Sequence, residues 1–519
     1  MQNKQTPPPE PEISDSLRRY LYLTAAVTGG AIMVVEILGA KMLSPFVGMS
    51  HFVWTAQIAV TLVALAAGYY AGGKLADHSQ KLSRLYAAIL LAAVYLAGTV
   101  LGCEPVAYWS LDFNLAAGSL LASTILFFIP LALLAMTGPF LIRVITSSVA
   151  GVGGNVGRLT SISTLGSFAG TLLIGYFAIP LLPNSFTMYA TSGALLLIAA
   201  GYFLVFSRNL KVLMPAILFL GLAIGLTIHR EGSRHYAWAI ELFRGNSHFG
   251  QLQVIDSREG SSRYYLNDNL VQNIYDPDRK QSKATFTYML SALARAYTTN
   301  IQDVLCIGLG MGMVPMDFAS AGAKVDVVEI NPAVLPLAQH YFDFHPQKCR
   351  ITFDDARHYL NRCRKKYDVV VLDAFLGDSS PSHLLTREAF VAIRNVLRPR
   401  GALVVNCFGE IEEGRDFFAT SLNRTLKAVF AGVRLHTVAR GAIFFAATDH
   451  AIPSFVREPD LTLVHPDVQP DVDALLHSHL EASPEHGLIL TDNYNPVEFY
   501  DAHNREQIRR KLALAAKDM

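Results

Sequence analysis

The sequence predicts a multi-pass α-helical membrane domain joined to an α/β domain with a doubly wound, mainly parallel sheet. The first sign is composition: of 519 residues, 51% are hydrophobic and only 16% charged, with the apolar excess concentrated before residue 230. The second is length, because that excess falls into segments of about the size that crosses a bilayer. The third lies after residue 300, where four apolar runs end in a glycine turn or a carboxylate. Parallel strands that carry polar groups to one crevice have this pattern.

Taken in order, residues 1–16 are polar and proline-rich, with no apolar stretch before them. They read as a disordered tail, extended to 1–19, and not as a cleaved signal. Apolar segments follow at residues 20–43, 52–75, 85–103, 115–142, 159–182, 186–206 and 212–228. They make seven expected spans in a transmembrane domain of residues 20–228, the last at the short limit. Gly68-x-x-x-Gly72 and Gly166-x-x-x-Gly170 put small residues on one helix face, which suits close packing. Glu36, inside the first span, is expected to mark a functional or structural polar site, unless it and Lys41 both reach for the interface.

Basic residues set an orientation. Lys4, Arg18, Arg19, Lys74, Lys81, Arg84, Arg143, Arg158, Arg208 and Lys211 fall on one side, against little more than Lys41, Arg230 and Arg234 on the other. The N-terminus is therefore expected in the cytoplasm and the chain in the inner membrane. Seven crossings would then place the α/β domain outside, away from the cytosol where adenosyl sulfonium compounds are made. Three readings stay open: the last segment does not cross, the α/β domain is extracytoplasmic, or one span is misassigned.

Residues 229–300 read as a linker and a small β region, with strands near 250–255 and 264–266 around the turn Asn267-Asp-Asn, then a helix over 284–297. Residues 301–519 read as a nucleotide-binding α/β domain. Its first strand, Val304-Leu-Cys-Ile, breaks into Gly308-Leu-Gly310-Met-Gly312, where backbone can approach a ligand. About twenty residues on, a second strand ends in Glu329, the expected acceptor for ribose hydroxyls. A third ends in Asp354-Asp355 and a fourth in Asp373, the best candidate for a partly desolvated carboxylate that orients or deprotonates an amine. The loop lacks the G-x-G-x-x-G of dinucleotide sites, so a mononucleoside fits better. A helix over 383–397, a strand over 401–406 and an antiparallel ending at 433–438 and 442–447 complete the expected sheet.

Several classes are excluded. A balance of 43 basic and 42 acidic residues, net charge +1, leaves no footprint for nucleic acid. The five cysteines have no metal-binding or redox spacing, and His340, His345 and His358 lack ligand spacing, so no metal is expected. Ser379-Ser380 lacks the nucleophile elbow of a serine hydrolase.

From about residue 245 to 500 the chain resembles the spermidine synthase (polyamine aminopropyltransferase) family, whose Rossmann-like core relates to class I S-adenosylmethionine-dependent methyltransferases. The segment 307–313 stands where that family has Gly-Gly-Gly-Asp-Gly, and Val328-Glu329-Ile330 matches its Val-Glu-Ile-Asp. Phe249-Gly-Gln-Leu-Gln-Val looks like its Tyr-Gln-x-Ile strand, and Leu266-Asn-Asp-Asn-Leu-Val-Gln272 like its Leu-Asp-Gly-x-x-Gln turn. The apolar half, Asp373-Ala-Phe and Leu490-Thr-Asp-Asn-Tyr-Asn-Pro-Val-Glu498 look like membrane-bound, fused members. The resemblance implies cofactor contacts at Gly308, Gly310, Gly312 and Glu329, with Asp355, or alternatively Asp354, at the adenine amino group. It implies substrate contacts at Gln272 and Asp268, and catalytic roles for Asp373 and Tyr288.

Departures fall on the cation-binding positions. Met311 replaces the loop Asp that faces the aminopropyl ammonium, Ala284-Thr285 stands for an Asp-Glu pair, and Gly250 replaces a Gln. Asp373-Ala-Phe replaces Asp-Ser-Ser-Asp-Pro. The implied reaction moves an aminopropyl group from decarboxylated S-adenosylmethionine to an amine such as putrescine. Methyl transfer from S-adenosylmethionine is one alternative, and a non-catalytic nucleotide- or polyamine-binding transporter or sensor another. The expected partners are a small amine acceptor and the lipid bilayer, with a homodimer left open.

Overall fold

A computed structural model describes residues 13–48, 51–146, 152–232, 238–375, 381–438, 440–451, 455–480, 487–500 and 510. Residues 1–12 of the expected tail and Ser379-Ser380 lie outside them. The chain divides into two compact units, Met1–Arg234 and His235–Met519.

Among the described residues, the first unit holds seven helices long and apolar enough to cross a membrane: Asp15–Val47, His51–His78, Leu82–Ser110, Leu115–Ile145, Val152–Leu181, Asn184–Ser207 and Leu210–Arg230. The first begins five residues earlier than the sequence reading placed it. Ser14 caps it by accepting the Leu17 N–H at 3.4 Å, and Asp15 in the first turn complements the positive end of the helix dipole. Residues 15–19 are therefore helical, not part of a disordered tail. Widened π turns at Thr124–Phe128 and Leu173–Ala178 come just before Pro130 and Pro180, whose rings remove a backbone donor and displace the preceding turn.

The small-residue motifs lie at helix crossings. A Cβ at Gly166 would fall 2.0 Å from the Ala26 carbonyl oxygen, and one at Gly170 2.6 Å from that of Gly30, so the first and fifth helices meet backbone to backbone. Gly68 and Gly72 press in the same way on Ala132 and Met136 of the fourth helix. Polar side chains link other pairs, as in Thr24–Tyr86 at 2.8 Å and Ser192 to the Ala93 carbonyl at 2.6 Å. Lys41 is 9% exposed, so it packs inside the bundle and does not extend along its outside. That outside is apolar, with Leu62, Leu165, Leu197 and Leu218 all more than 60% exposed.

The second unit opens with an antiparallel sheet of five strands in sequential order: β1 (Ala239–Ser247), β2 (Gly250–Ser257), β3 (Arg263–Asn267), β4 (Leu270–Asp276) and β5 (Gln281–Ser282). After the helix Thr285–Tyr297 comes a mixed sheet. Its strands are β6 (Asp303–Ile307), β7 (Lys324–Glu329), β8 (Cys349–Phe353), β9 (Tyr367–Leu372), β10 (Leu397–Glu410), β11 (Gly432–His436), β12 (Arg440–Thr448) and β13 (His479–Leu480). They run in the order β13-β11-β12-β10-β9-β6-β7-β8, parallel from β10 to β8 and antiparallel from β10 to β13. The inner parallel strands β6, β9 and β10 are largely buried on both faces, as their apolar runs require, whereas β8 at the edge is partly exposed. The expected fold class, apolar helices ahead of an α/β unit with a small β region, is the one observed. The sequence reading did not anticipate β1, whose charged and small residues hide its alternation, β4, or the two-residue strands β5 and β13.

β7 and β9 lie on opposite sides of β6, so the order of the sheet reverses between β6 and β9, and a crevice opens there beyond the carboxyl ends. Carboxylates nearer the opposite ends have another job. Arg398 bridges Asp303 at 2.7 Å and Asp368 at 2.9 Å, while Lys365 reaches Asp303 and Asp326 at 3.1 and 3.2 Å. This network joins four elements of the sheet away from the crevice.

Candidate functional site

The crevice is a cleft of about 170 Å³, and its wall is built from both sheets of the second unit. From β6 comes the glycine turn. Gly308, Gly310 and Gly312 have φ of 101°, 51° and 78°, a region that L side chains rarely adopt. At Gly308 space adds to conformation, since a Cβ there would lie 2.2 Å from the Asp373 carbonyl oxygen. The turn thus lies directly on the end of β9, and Gly312 starts the helix Met313–Ser320.

Glu329, at the end of β7, is 8% exposed and holds two backbone donors: Oε2 accepts the Leu309 N–H at 2.8 Å and Oε1 the Asn331 N–H at 2.7 Å. Burial pushes its carboxyl up, and the Asn331 and Leu309 N–H groups pull it partly back. Asp354 and Asp355 follow β8 and both line the cleft. Asp354 meets His358 Nδ1 at 2.7 Å. Asp355 caps the helix Ala356–Arg362 through the Arg357 and His358 N–H groups, and its other oxygen meets His383 Nε2 at 2.9 Å. Burial opposes ionisation of Asp355, but the His358 N–H and His383 outweigh it and hold the carboxyl below its ordinary value.

Asp373 extends the line of β9, half-buried in the cleft wall. Removal from water pushes its carboxyl up to about 6; a 2.9 Å hydrogen bond from Asn406 Nδ2 acts against this, and the nearby Glu329 carboxylate adds to it. Among ordinary carboxylates this one is poised to take a proton near neutrality.

The remaining expected residues divide. Gln272 lines the cleft, as do Phe249, Tyr265 and Asn267 from the small sheet. Asp268 does not: it is 4% exposed in the β3–β4 turn at φ 47°, and its Oδ1 accepts the Gln251 N–H at 2.9 Å. Tyr288 is also absent from the lining, with its hydroxyl donating to the Ser282 carbonyl at 2.8 Å, while its neighbours Phe286 and Thr287 reach the cleft. Met311 lines the cleft at 1% exposure and belongs to the apolar core of the second unit. Sequence reading missed Asn406 and His383. Asn406 ends the run Gly401-Ala-Leu-Val-Val, where a polar residue after five apolar or small ones was the available signal.

Behind this wall, Asp492 accepts from Arg357 Nη2 at 2.7 Å and from Thr386 Oγ1 at 2.6 Å, and Asn495 donates to the Ser382 carbonyl at 2.8 Å. The segment 487–500 thereby braces the loop that carries His383.

The family described as the spermine/spermidine synthase domain matches residues 284–440, which include the glycine turn, Glu329, Asp354, Asp355, Asp373 and Asn406. The chain is 37% identical to a polyamine aminopropyltransferase of Vibrio vulnificus over 145 residues, 27% of this chain and 48% of that protein. It is 34% identical to an N-terminal histidine N-methyltransferase of Emericella nidulans over 139 residues, 26% of this chain and 24% of that one. These matches span about half or less of the relatives' length. A longer one, 22% identical over 442 residues, covers 80% of this chain and 84% of a polyamine aminopropyltransferase 2 of Aquifex aeolicus. Residues 284–440 thus match the spermine/spermidine synthase domain, and the polyamine aminopropyltransferase relatives support a spermidine synthase-like family.

Proposed function

We propose that the protein is a membrane-bound aminopropyltransferase that moves the aminopropyl group of decarboxylated S-adenosylmethionine to a small amine such as putrescine. The observation that carries this reading is Asp373: a carboxyl raised to about 6, against Gly308 of the glycine turn, in a cleft that Glu329 also lines. Glu329 and the turn would hold the adenosine, and Asp354 or Asp355 the adenine. The amine nitrogen forms a bond to the aminopropyl carbon next to sulfur, and the carbon–sulfur bond breaks, leaving neutral methylthioadenosine. The proton released from nitrogen goes to Asp373. Holding the two reactants in line supplies much of the acceleration.

Membrane attachment is supported by the seven long apolar helices with their exposed apolar side chains, and the basic residues favour a cytoplasmic N-terminus. Met311 favours a second reading, methyl transfer from S-adenosylmethionine, since a thioether gives no acceptor for the aminopropyl ammonium. Incubation of the purified protein with each sulfonium and a panel of amines separates the two. Methylthioadenosine as product supports aminopropyl transfer, S-adenosylhomocysteine supports methyl transfer, and neither across the panel supports a binding protein.

A further inference from the structure

Beside the helix Ala356–Arg362 lies a second hollow, open and about 430 Å³ in volume, which shares one residue with the cleft: His383 lines both. The acceptors in its wall are already used. Asp492 takes Arg357 Nη2 at 2.7 Å on one oxygen and Thr386 Oγ1 at 2.6 Å on the other, and Thr386 Oγ1 itself accepts from Arg357 Nη1 at 3.1 Å. Asn495 Oδ1 accepts the Val497 N–H at 3.3 Å, and Thr491 Oγ1 the Tyr494 N–H at 3.0 Å. Donors are left over. Among the described residues, the Asn361 amide, the Ser382 hydroxyl, Arg357 Nε and the Nδ1 edge of His383 have no protein partner, and all four side chains line the hollow. The one carboxylate there, Asp492, is paired with Arg357. The helix that forms one side carries Arg357, His358 and Arg362 and no acidic residue, so the local field adds to the surplus of donors.

We propose that this hollow binds a phosphate-type oxyanion, from inorganic phosphate or a lipid headgroup, and that its occupancy tightens adenosyl nucleotide binding in the cleft. Four donors around one hollow match the several acceptor oxygens of a phosphate better than the two of a carboxylate. The link to the cleft is His383. Its Nε2 meets Asp355 Oδ2 at 2.9 Å, so an anion at the opposite edge of the ring stabilises the imidazolium form, in which Nδ1 donates as well. The charged ring then holds Asp355 more firmly at its helix cap, with the carboxylate ionised and able to accept from the adenine amino group. This deepens the reading of the cleft in which Asp354 or Asp355 meets adenine, and rests on it. Such coupling is reciprocal, so bound nucleotide also tightens the anion.

The test uses the full-length protein in detergent, inorganic phosphate as the anion probe and methylthioadenosine as the nucleotide probe. At constant ionic strength, phosphate in place of chloride is expected to tighten methylthioadenosine binding about fivefold or more. Asn361→Ala and Ser382→Ala, both in the hollow and outside the cleft lining, are expected to keep native nucleotide affinity in chloride and to lose most of that gain. Mixed micelles with an anionic phospholipid, in phosphate-free buffer, are compared with lipid-free detergent. A gain there as large as with phosphate assigns the site to a lipid headgroup, and a gain with free phosphate alone assigns it to the soluble ion. Equal affinity in chloride, phosphate and anionic micelles overturns the proposal and leaves the reading of the cleft standing, as does a gain that survives both substitutions. If methylthioadenosine binds under none of these conditions, the reading of the cleft falls and the proposal with it.

Discussion

Glu329 reaches back across the sheet to the turn it serves, its Oε2 accepting the Leu309 N–H at 2.8 Å. The carboxylate expected to hold the ribose therefore also sets the shape of the glycine turn. Since its other oxygen accepts from Asn331, the side chain requires two acceptor atoms.

Glu329→Ala is expected to weaken binding of an adenosyl nucleotide by about 1.5–3 kcal/mol, the effect of removing hydrogen bonds to a charged group. Glu329→Gln should also fall short, because its amide nitrogen would face a backbone donor. Titration calorimetry on the folded variants checks this, and native affinity in Glu329→Ala would remove Glu329 from the site.

Asp373 gives two pH signatures. As a base it works only when ionised, so kcat/KM should rise with pH and level off above about 6, and Asp373→Asn should lower turnover by about 10²–10⁴-fold. Stability runs the other way. With the folded carboxyl above its ordinary value near 3.8, the native state binds more protons than the unfolded chain between the two values, so stability falls as pH rises through that window. Asp373→Asn should therefore melt higher than native above about pH 6 and equally below about pH 4. A variant that melts no higher at neutral pH would show that burial does not perturb this carboxyl.

Met311 bears on which sulfonium is used. With a thioether where an acidic residue would meet the aminopropyl ammonium, native protein should bind S-adenosylmethionine and its decarboxylated form within about tenfold, or 1.4 kcal/mol, of each other. Met311→Asp should shift preference toward the decarboxylated form. Side-by-side titration decides it: a native preference well beyond tenfold would mean that other acceptors replace the missing carboxylate.

The helix crossings can be tested by adding one carbon. Gly166→Ala pushes a methyl to within 2.0 Å of the Ala26 carbonyl oxygen and should destabilise the protein by about 1–3 kcal/mol. Gly73, with nothing within 4 Å, is the control, and Gly73→Ala should be neutral or stabilising by up to about 1 kcal/mol. Thermal unfolding in detergent compares them; equal effects would mean that the first and fifth helices do not pack through this face.

Orientation follows from the number of crossings. If all seven helices span the bilayer, cysteine labelling at positions 18 and 510 should report opposite faces of the membrane. Labelling on the same face would show that one of them, with Leu210–Arg230 the shortest, does not cross.

The sequence by itself determined the elements. Hydropathy located seven long helices, because a segment of that length and apolarity has few other stable states. Period and punctuation located the strands that end at Gly308, Glu329, Asp354 and Asp373, because an inner strand buried on both faces is mostly apolar until it leaves the sheet, and the edge strand before Asp354 is bounded by polar residues. The tertiary structure alone decided which polar groups meet. Asp303, Asp326 and Asp368 look in sequence much like Asp354 and Asp373, and only their position at the other end of the sheet makes them part of a salt-bridge network. Tyr288 and Asp268 sit in the expected motifs, yet local backbone partners hold them out of the cleft lining. Asn406 and His383 enter it from elements about seventy or more residues beyond the glycine turn in sequence, brought there by strand pairing and by the brace from Asp492. Spacing along a chain reports local conformation, whereas a binding cleft depends on contacts between distant segments.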